Sequence, residues 1–313
     1  QSEDCLFINV WTPALRDGAR RPVMVYLHGG AYSTGSGSSP LYDGTRLVRR
    51  GDVVVVTVNH RLNVFGYGFL KRLGGSQFAD SGNAGQLDIV MALQWVRDNI
   101  AEFGGDPRRV MVFGQSGGGA KIATLMAIPA AAGLFHRAAT MSGQQVTASG
   151  PLNATARMQL FLKTIGASPE QVATLPAAKL LEGLAATDPF TPGRVYFGPV
   201  LDQRSLQRHP FYPDAHPLGR TIPMILGNTH DETYAFLANS KPDPFAMKWE
   251  DVAGRIAPEL RVDIDPEHVV AIYRKLYPAY SPSEVFFAAT TAGRSWRGQV
   301  VEAEERAKAG VPA

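Results

Sequence analysis

The sequence feature that most constrains the fold is a serine enclosed by glycines, placed between an apolar run and a helix-forming run. Residues 110–113 (Val-Met-Val-Phe) are apolar and are followed by Gly-Gln-Ser-Gly-Gly at 114–118. Small and helix-forming residues continue over 120–127. The pattern predicts that Ser116 lies in a sharp turn from a buried strand into a helix, where the flanking glycines let the two backbones approach closely.

Such a turn would expose Ser116 at the N-terminus of a helix. Free amides and the positive end of the helix dipole favour a developing oxyanion there. The five-residue pattern alone is weak in a chain with 32 glycines among 313 residues, and a flexible glycine loop is the alternative. The strand before it and the helix after it favour a nucleophilic serine.

Composition excludes several classes of function. The chain is 45% hydrophobic and 19% charged, which is typical of a globular protein. Its 31 basic and 28 acidic residues are spread along the chain, so nucleic acid is not an expected partner. No apolar run approaches the ~18 to 20 residues of a membrane span. Cys5 is the one cysteine, which excludes an internal disulfide and a cysteine metal cluster.

Buried strands and helices alternate through the first part of the chain, which predicts a parallel, doubly wound α/β sheet. Ligands of such sheets collect at the carboxyl ends of the strands, where both Ser116 and the segment 28–31 would lie. We predict a sheet core over 1–143 and a helical region over 144–313 with one late strand, all within a single domain. The predicted strands are 5–11, 22–28, 53–59, 110–113 and 222–227, and the predicted helices are 45–50, 83–103, 151–166, 176–186, 267–277 and 283–308.

Two further features fit the chemistry of an acyl-transfer site. Residues 28–31 (His-Gly-Gly-Ala) follow a buried strand, and glycine amides there can approach a substrate carbonyl oxygen. Asp231 and Glu232 follow the late strand, in the order serine then acid that this fold type requires. An acidic pair is also common on protein surfaces, so this second feature leaves both interpretations open.

Several segments together resemble the type-B carboxylesterase family, which includes bacterial para-nitrobenzyl esterases and the cholinesterases. The resemblance covers nearly the whole chain and implies an α/β-hydrolase fold, with a mostly parallel sheet, helices on both faces and a helical cap or side region. The segments that carry it are 2–13 (Ser-Glu-Asp-Cys-Leu-Phe-Ile-Asn-Val-Trp-Thr-Pro), 59–66 (Asn-His-Arg-Leu-Asn-Val-Phe-Gly), 103–107 (Phe-Gly-Gly-Asp-Pro) and 113–118 (Phe-Gly-Gln-Ser-Gly-Gly).

The resemblance implies roles for five residues by matching position. Ser116 corresponds to the nucleophile, and Gly117 to the oxyanion-hole donor that follows it. Gly30 and Ala31 correspond to the other two amide donors. Glu232 corresponds to the triad acid, which makes Asp231 a structural neighbour.

Four more residues match family positions with lesser roles. Ser142 corresponds to a serine near the triad acid, although a cap of a helix or strand is an equal alternative. Gln115 stands where the family usually has glutamate, which removes a negative charge beside the nucleophile. Glu3 and Arg61 correspond to a structural salt bridge, which we expect to be buried.

The triad histidine is missing from the expected place. After Glu232 the only histidine is His268, in the first turn of a predicted amphipathic helix, where a surface or capping role is expected. In the family the catalytic histidine follows the last predicted helix, so we expect it beyond residue 313. Neither end resembles a natural terminus, and we expect a fragment that lacks the N-terminal edge and the C-terminal strand and is nearly inactive alone.

These patterns predict a serine carboxylesterase that hydrolyses small-molecule esters through an acyl-enzyme, with no metal or cofactor implied. One rival is a non-catalytic adhesion or scaffold protein of the same fold. Another is a different acyl hydrolase, such as a thioesterase or amidase, because the acyl chemistry is shared. The sequence indicates neither a compartment nor an oligomeric state.

Overall fold

A computed structural model describes residues 2–190, 193–260 and 263–310. The chain forms two compact units, one of Gln1–Leu226 with Glu302–Ala313 and one of Gly227–Val301. Each unit has a hydrophobic cluster of its own. The predicted division at residue 143 falls inside the first unit.

One sheet runs through the first part of the chain. Its strands in the described residues are β1 (Ile8–Trp11), β2 (Arg21–Leu27), β3 (Val54–Val58), β4 (Gly105–Gln115), β5 (Arg137–Met141) and β6 (Met224–Gly227). Their order is β1-β3-β2-β4-β5-β6. The β2–β3, β2–β4 and β4–β5 pairs are parallel, and β1 is antiparallel to β3 at its edge. The predicted mostly parallel sheet of an α/β-hydrolase is therefore confirmed.

Helices of the first unit lie on both sides of this sheet. The α-helices in the described residues are α1 (Thr45–Gly51), α2 (Asn63–Tyr67), α3 (Lys71–Gly74), α4 (Ala84–Asn99), α5 (Gly117–Leu125), α6 (Pro151–Ile165), α7 (Ala177–Glu182), α8 (Tyr234–Leu237), α9 (Trp249–Ile256), α10 (Pro266–Leu276), α11 (Pro282–Thr291) and α12 (Arg297–Lys308). None of these helices is both long and apolar enough to cross a bilayer.

The core of the first unit explains why the central strands are continuous apolar runs. Every residue of β3 is buried, as expected for a parallel strand that is covered on both faces. Side chains from β2, β3 and β4 pack against α4 and α5 in one cluster. Each Val, Leu or Ile buried in this way stabilises the fold by about 1.5–3 kcal/mol. The cluster therefore holds the carboxyl ends of β2 and β4 in fixed relation.

The structure differs from the sequence-based prediction at β1, at β5 and at the last predicted helix. β1 begins at Ile8 rather than at residue 5, because its pairing with β3 ends at the Ile8–Val58 pair. The pattern did not predict β5, whose short sequence (Arg-Ala-Ala-Thr-Met) contains no run of large apolar residues. The predicted helix over 283–308 is two α-helices joined by a π-helical segment, Ala292–Trp296. Gly293 in that segment packs against the backbone of Leu260.

Candidate active site

Ser116 lies in the tight turn that the sequence predicts. Its backbone angles are φ 54° and ψ −123°, between the end of β4 and the start of α5. A non-glycine residue rarely adopts such angles, and holding it there costs about 1–3 kcal/mol. Two backbone hydrogen bonds support the turn, from Ser116 N to Met141 O at 2.8 Å and from Ala120 N to Ser116 O at 3.2 Å.

Glycines make this turn sterically feasible. A Cβ atom on Gly118 would lie 1.9 Å from Leu27 O, and one on Gly143 would lie 1.9 Å from Ser116 O. Neither position tolerates a side chain without backbone movement. Gly118 lets the first turn of α5 approach β2, and Gly143 lets the segment after β5 approach the serine.

The loop after β2 places backbone amides beside Ser116. Gly30 and Ala31 both have positive φ, at 89° and 53°. A Cβ atom on Gly117 would lie 2.5 Å from Ala31 N, and one on Gly29 would lie 3.4 Å from Ser116 Cβ. In the described residues, no group accepts a hydrogen bond from the amides of Gly30, Ala31 or Gly117. The structure thus brings residues 29–31 close to Ser116 and Gly117. That the amides of Gly30, Ala31 and Gly117 form an oxyanion hole stays a prediction.

A series of hydrogen bonds in the interior holds Tyr32, the residue that follows Ala31. The Tyr32 hydroxyl is 3.1 Å from Thr124 Oγ1 and donates to Gln145 Oε1 at 2.9 Å. Gln145 N in turn donates to Glu302 Oε1 at 2.7 Å. Glu302 is fully buried, and burial raises the pKa of its carboxyl to about 8, so it is mostly protonated at neutral pH. Sequence reasoning missed this series of hydrogen bonds because its residues lie far apart in the sequence.

Sequence reasoning also missed Lys121 in α5. This lysine is fully buried and its Nζ donates to His28 O at 2.9 Å. Burial lowers the pKa of its amine to about 7. The available signal was a lone charged residue within the small and apolar run 120–127.

Gln115 and Ser142 flank the turn. The Gln115 side chain is exposed, and its Oε1 lies 3.1 Å from where a Cβ atom on Gly29 would be. Its neutral amide therefore borders the amide-donating loop. Ser142 follows β5, is half-buried and has a φ of 54°. Its proposed position near the triad acid stays a prediction.

Glu232 belongs to the second unit, where its carboxylate is bound within its own loop. Oε1 accepts from Thr229 N and from Thr229 Oγ1, both at 2.8 Å. The neighbouring Asp231 carboxylate is 3.0 Å from His230 Nδ1. The two neighbouring carboxylates therefore have different hydrogen-bond partners. Its role as the triad acid stays a prediction.

The predicted Glu3–Arg61 salt bridge is wrong. Arg61 instead binds Asp88 of α4, through Nη2 to Oδ1 at 2.6 Å and Nε to Oδ2 at 2.9 Å. Arg61 N also donates to Asp88 Oδ2 at 2.9 Å. Glu3 is exposed and forms no ion pair among the described residues. Asp88 is fixed on a buried helix beside Arg61, which is why it takes the guanidinium.

Each histidine in the described residues of the first unit contacts a backbone group other than Ser116. No residue there hydrogen-bonds to Ser116 Oγ. The rings of His28 and His60 are buried and stacked on each other, with centroids 4.7 Å apart. The other three histidines of this unit accept hydrogen bonds from backbone amides, namely His136 from Val110, His209 from Ala148 and His216 from Leu218. In the described part of the chain, no cluster of acidic, histidine and cysteine side chains could hold a metal ion.

Comparison with known proteins gives a consistent result. The model of the "Carboxylesterase family" matches residues 1–264. A para-nitrobenzyl esterase of Bacillus subtilis is 41% identical over 242 residues, covering 75% of this chain and 48% of the relative. Phenmedipham hydrolase of Pseudarthrobacter oxydans is 38% identical over 243 residues, covering 75% of this chain and 46% of the relative.

A solved structure shows the same fold. The carboxylesterase EST55 of Geobacillus stearothermophilus superposes with a TM-score of 0.84 at 37% identity, covering 99% of this chain and 64% of that chain. The chain spans about half the length of the two curated bacterial relatives described above. The matched segment, the relatives and the fold agree, and the chain belongs to the carboxylesterase family.

Proposed function

We propose that this protein is a serine carboxylesterase that hydrolyses small-molecule carboxylic esters through an acyl-enzyme on Ser116. The observation that carries the proposal is the set of unoccupied amides of Gly30, Ala31 and Gly117 beside a serine in a strained turn. Preorganised donors of this kind stabilise the oxyanion of an acyl-transfer transition state. A non-catalytic scaffold would have no use for both the strain and the free donors.

In the proposed reaction Ser116 Oγ attacks the ester carbonyl carbon and loses its proton to a base. The carbonyl oxygen becomes an oxyanion, which the three amides bind. Collapse of this intermediate expels the alcohol, which takes the proton from the base, and leaves an acyl group on Ser116. Water activated by the same base then releases the carboxylic acid and regenerates the serine.

The base in this proposal is a histidine outside residues 1–313, and Glu232 orients it. The environment of the histidines in the first unit supports the first statement, because none of them hydrogen-bonds to Ser116 in the described residues and His28 and His60 are buried and stacked. Burial, together with the nearby Lys121 charge, lowers the pKa of both rings, that of His28 to about 4. Such histidines are poor bases near neutral pH.

A substrate panel tests the proposal. The full-length protein is assayed with para-nitrophenyl acetate and butyrate, a thioester and a para-nitroanilide, beside its Ser116→Ala variant. We expect the esters to turn over fastest and the variant to lose activity. A preference for the thioester or the anilide would establish one of the other acyl hydrolases, and no turnover with any substrate would favour a scaffold role.

A further inference from the structure

Lys121 is a buried amine without an acidic partner. It lies in the second turn of α5, and its side chain has no exposed surface. Among the described residues its one polar contact is the bond from Nζ to His28 O. No carboxylate in the described part of the chain pairs with it. Burying an ammonium group without a counter-charge is unfavourable, so such an amine tends to lose its proton.

Stability alone does not explain a lysine at this position. A methionine has nearly the same length and volume and would carry no desolvation cost, which opposes the loss of the donor to His28 O. The neighbouring titratable groups do not offset a positive charge on the amine. His28, at the end of β2, and His60, after β3, both have pKa values lowered by burial and are neutral near pH 7. His60 Nε2 has no hydrogen-bond partner among the described residues.

The bond from Lys121 joins the two elements that carry the free amides. α5 starts with Gly117, and His28 directly precedes the loop that contains Gly30 and Ala31. A side chain on a helix points back towards the helix N-terminus, so the lysine reaches the strand end from the following turn. The backbones meet at Gly118, whose Cβ atom would lie 3.2 Å from His28 O. No side chain fits between them at that point.

We propose that Lys121 is a positioning residue that fixes the Gly30 and Ala31 amides relative to the Gly117 amide by holding the carbonyl of His28. This inference rests on the proposed esterase function, because the three amides matter catalytically only if an oxyanion forms beside Ser116. The bond acts on the loop at its fixed end, next to β2. Small displacements there change donor distances in the transition state more than they change the binding of the substrate.

Two substitutions in the full-length enzyme test this role. Lys121→Met removes the donor and keeps the volume, and Lys121→Gln keeps a donor on a side chain one atom shorter. The control is Arg157→Met, which removes a half-buried cation and leaves the fully buried Asp188 carboxylate without its guanidinium partner. The control should lower Tm while retaining most of kcat, because Arg157 contacts neither Ser116 nor the loop.

The expected result for Lys121→Met is a loss of kcat without a loss of stability. We expect kcat and the affinity for a trifluoromethyl ketone, which mimics the tetrahedral intermediate, to fall together by about 10- to 100-fold. KM should stay within about twofold, and Lys121→Gln should fall between Lys121→Met and the parent. Normal kcat and normal ketone affinity in Lys121→Met would overturn the proposal. A fall in kcat would also overturn it if Tm fell as far as in Arg157→Met, because that result would indicate a structural role.

Hydrogen exchange separates this inference from the proposed function. Ser33 N and Thr34 N donate to Gly30 O, so their exchange reports how firmly the loop is held. In Lys121→Met the peptide covering residues 28–35 should exchange faster than in the parent and in Arg157→Met. Faster exchange supports the positioning role of Lys121 even if the parent protein hydrolyses no ester. In that case only the esterase proposal fails. Unchanged exchange in this peptide would overturn the positioning role of Lys121, whatever the esterase activity.

Discussion

Gly143 lies so close to Ser116 that a Cβ atom on it would be 1.9 Å from the serine carbonyl oxygen. The same missing side chain allows contact with α5, because that Cβ atom would also be 2.9 Å from Gly119 Cα. The segment after β5 therefore supports the strained turn from behind. This support explains how an unfavourable conformation at Ser116 persists, since strained residues require surroundings that fix them.

Gly143→Ala tests this support. The added methyl group cannot fit without moving the backbone of Ser116, so we expect either a loss of folding or a fall in kcat/KM of about 100-fold or more. Gly150→Ala is the matched control, because Gly150 has an ordinary φ of −67° and open space around it. Ester hydrolysis and Tm at the parent level in Gly143→Ala would show that the turn does not depend on this contact.

The buried Lys121 amine makes stability depend on pH in a defined window. Its pKa is lowered to about 7 in the folded protein from the ordinary lysine value of 10.5. Between these values the unfolded chain binds more protons than the folded one, so stability rises with pH, by at most about 1.4 kcal/mol per unit. Relative to Lys121→Met, the parent should therefore gain stability from pH 7 to 10.5. Denaturant unfolding of both proteins across this range is the measurement.

A matched control for that titration is Lys163→Met, which removes an exposed lysine from α6. Its stability difference from the parent should not change across the same window. A stability difference between the parent and Lys121→Met that is constant with pH would mean that the Lys121 amine is solvated and titrates normally.

Glu302 predicts the opposite dependence at lower pH. Burial raises its pKa to about 8 from the ordinary glutamate value of 4.5, so the folded protein holds a proton that the unfolded chain releases. The stabilisation is complete below pH 4.5 and is lost as pH rises through 8. Glu302→Gln should remove this fall, because its amide can still accept from Gln145 N. The control is Glu304→Gln, an exposed change on the same helix, which should leave the dependence of stability on pH as it is in the parent. If Glu302→Gln also leaves this dependence unchanged, the Glu302 carboxyl is ionised in the folded protein.

The Arg61–Asp88 pair predicts that Asp88 contributes more to stability than Glu3 does. Asp88→Asn weakens three hydrogen bonds from Arg61 to a buried carboxylate, and we expect it to cost about 1–3 kcal/mol. Glu3→Gln changes an exposed residue and should stay within about 0.5 kcal/mol of the parent. Chemical denaturation of both variants decides between them. A larger loss in Glu3→Gln than in Asp88→Asn would restore the family-based pairing.

The turn at Ser116 could be predicted from the sequence because neighbouring residues determine it. Glycines on both sides of the serine, an apolar strand and a helix-forming run all lie within 18 consecutive residues, 110–127. The continuous apolar strands β2 and β3 were predictable for the same reason. β5 was not, because two alanines and a threonine form a strand only when neighbours supply the pairing.

The buried polar residues could not be predicted, because their environment depends on distant parts of the chain. Gln145 and Glu302 are 157 positions apart, and Lys121 and His28 are 93 apart. A glutamate or lysine in a helical pattern is usually a solvated residue. The resemblance to the family also misplaced the partner of Arg61, since position in a motif does not determine which acid is nearest. Packing settles such contacts after the strands and helices are in place.

The most direct test of the account is the site of covalent labelling by a fluorophosphonate. This reagent phosphonylates an activated serine and imitates the tetrahedral intermediate in the oxyanion hole. The full-length protein and its Ser116→Ala variant are treated at equal concentration and analysed by intact mass and peptide mapping. We predict rapid addition of one label per chain, on the peptide that contains Ser116, and none on the variant. Labelling at another serine, or ester hydrolysis that persists in Ser116→Ala, would contradict the assignment of Ser116 as the nucleophile.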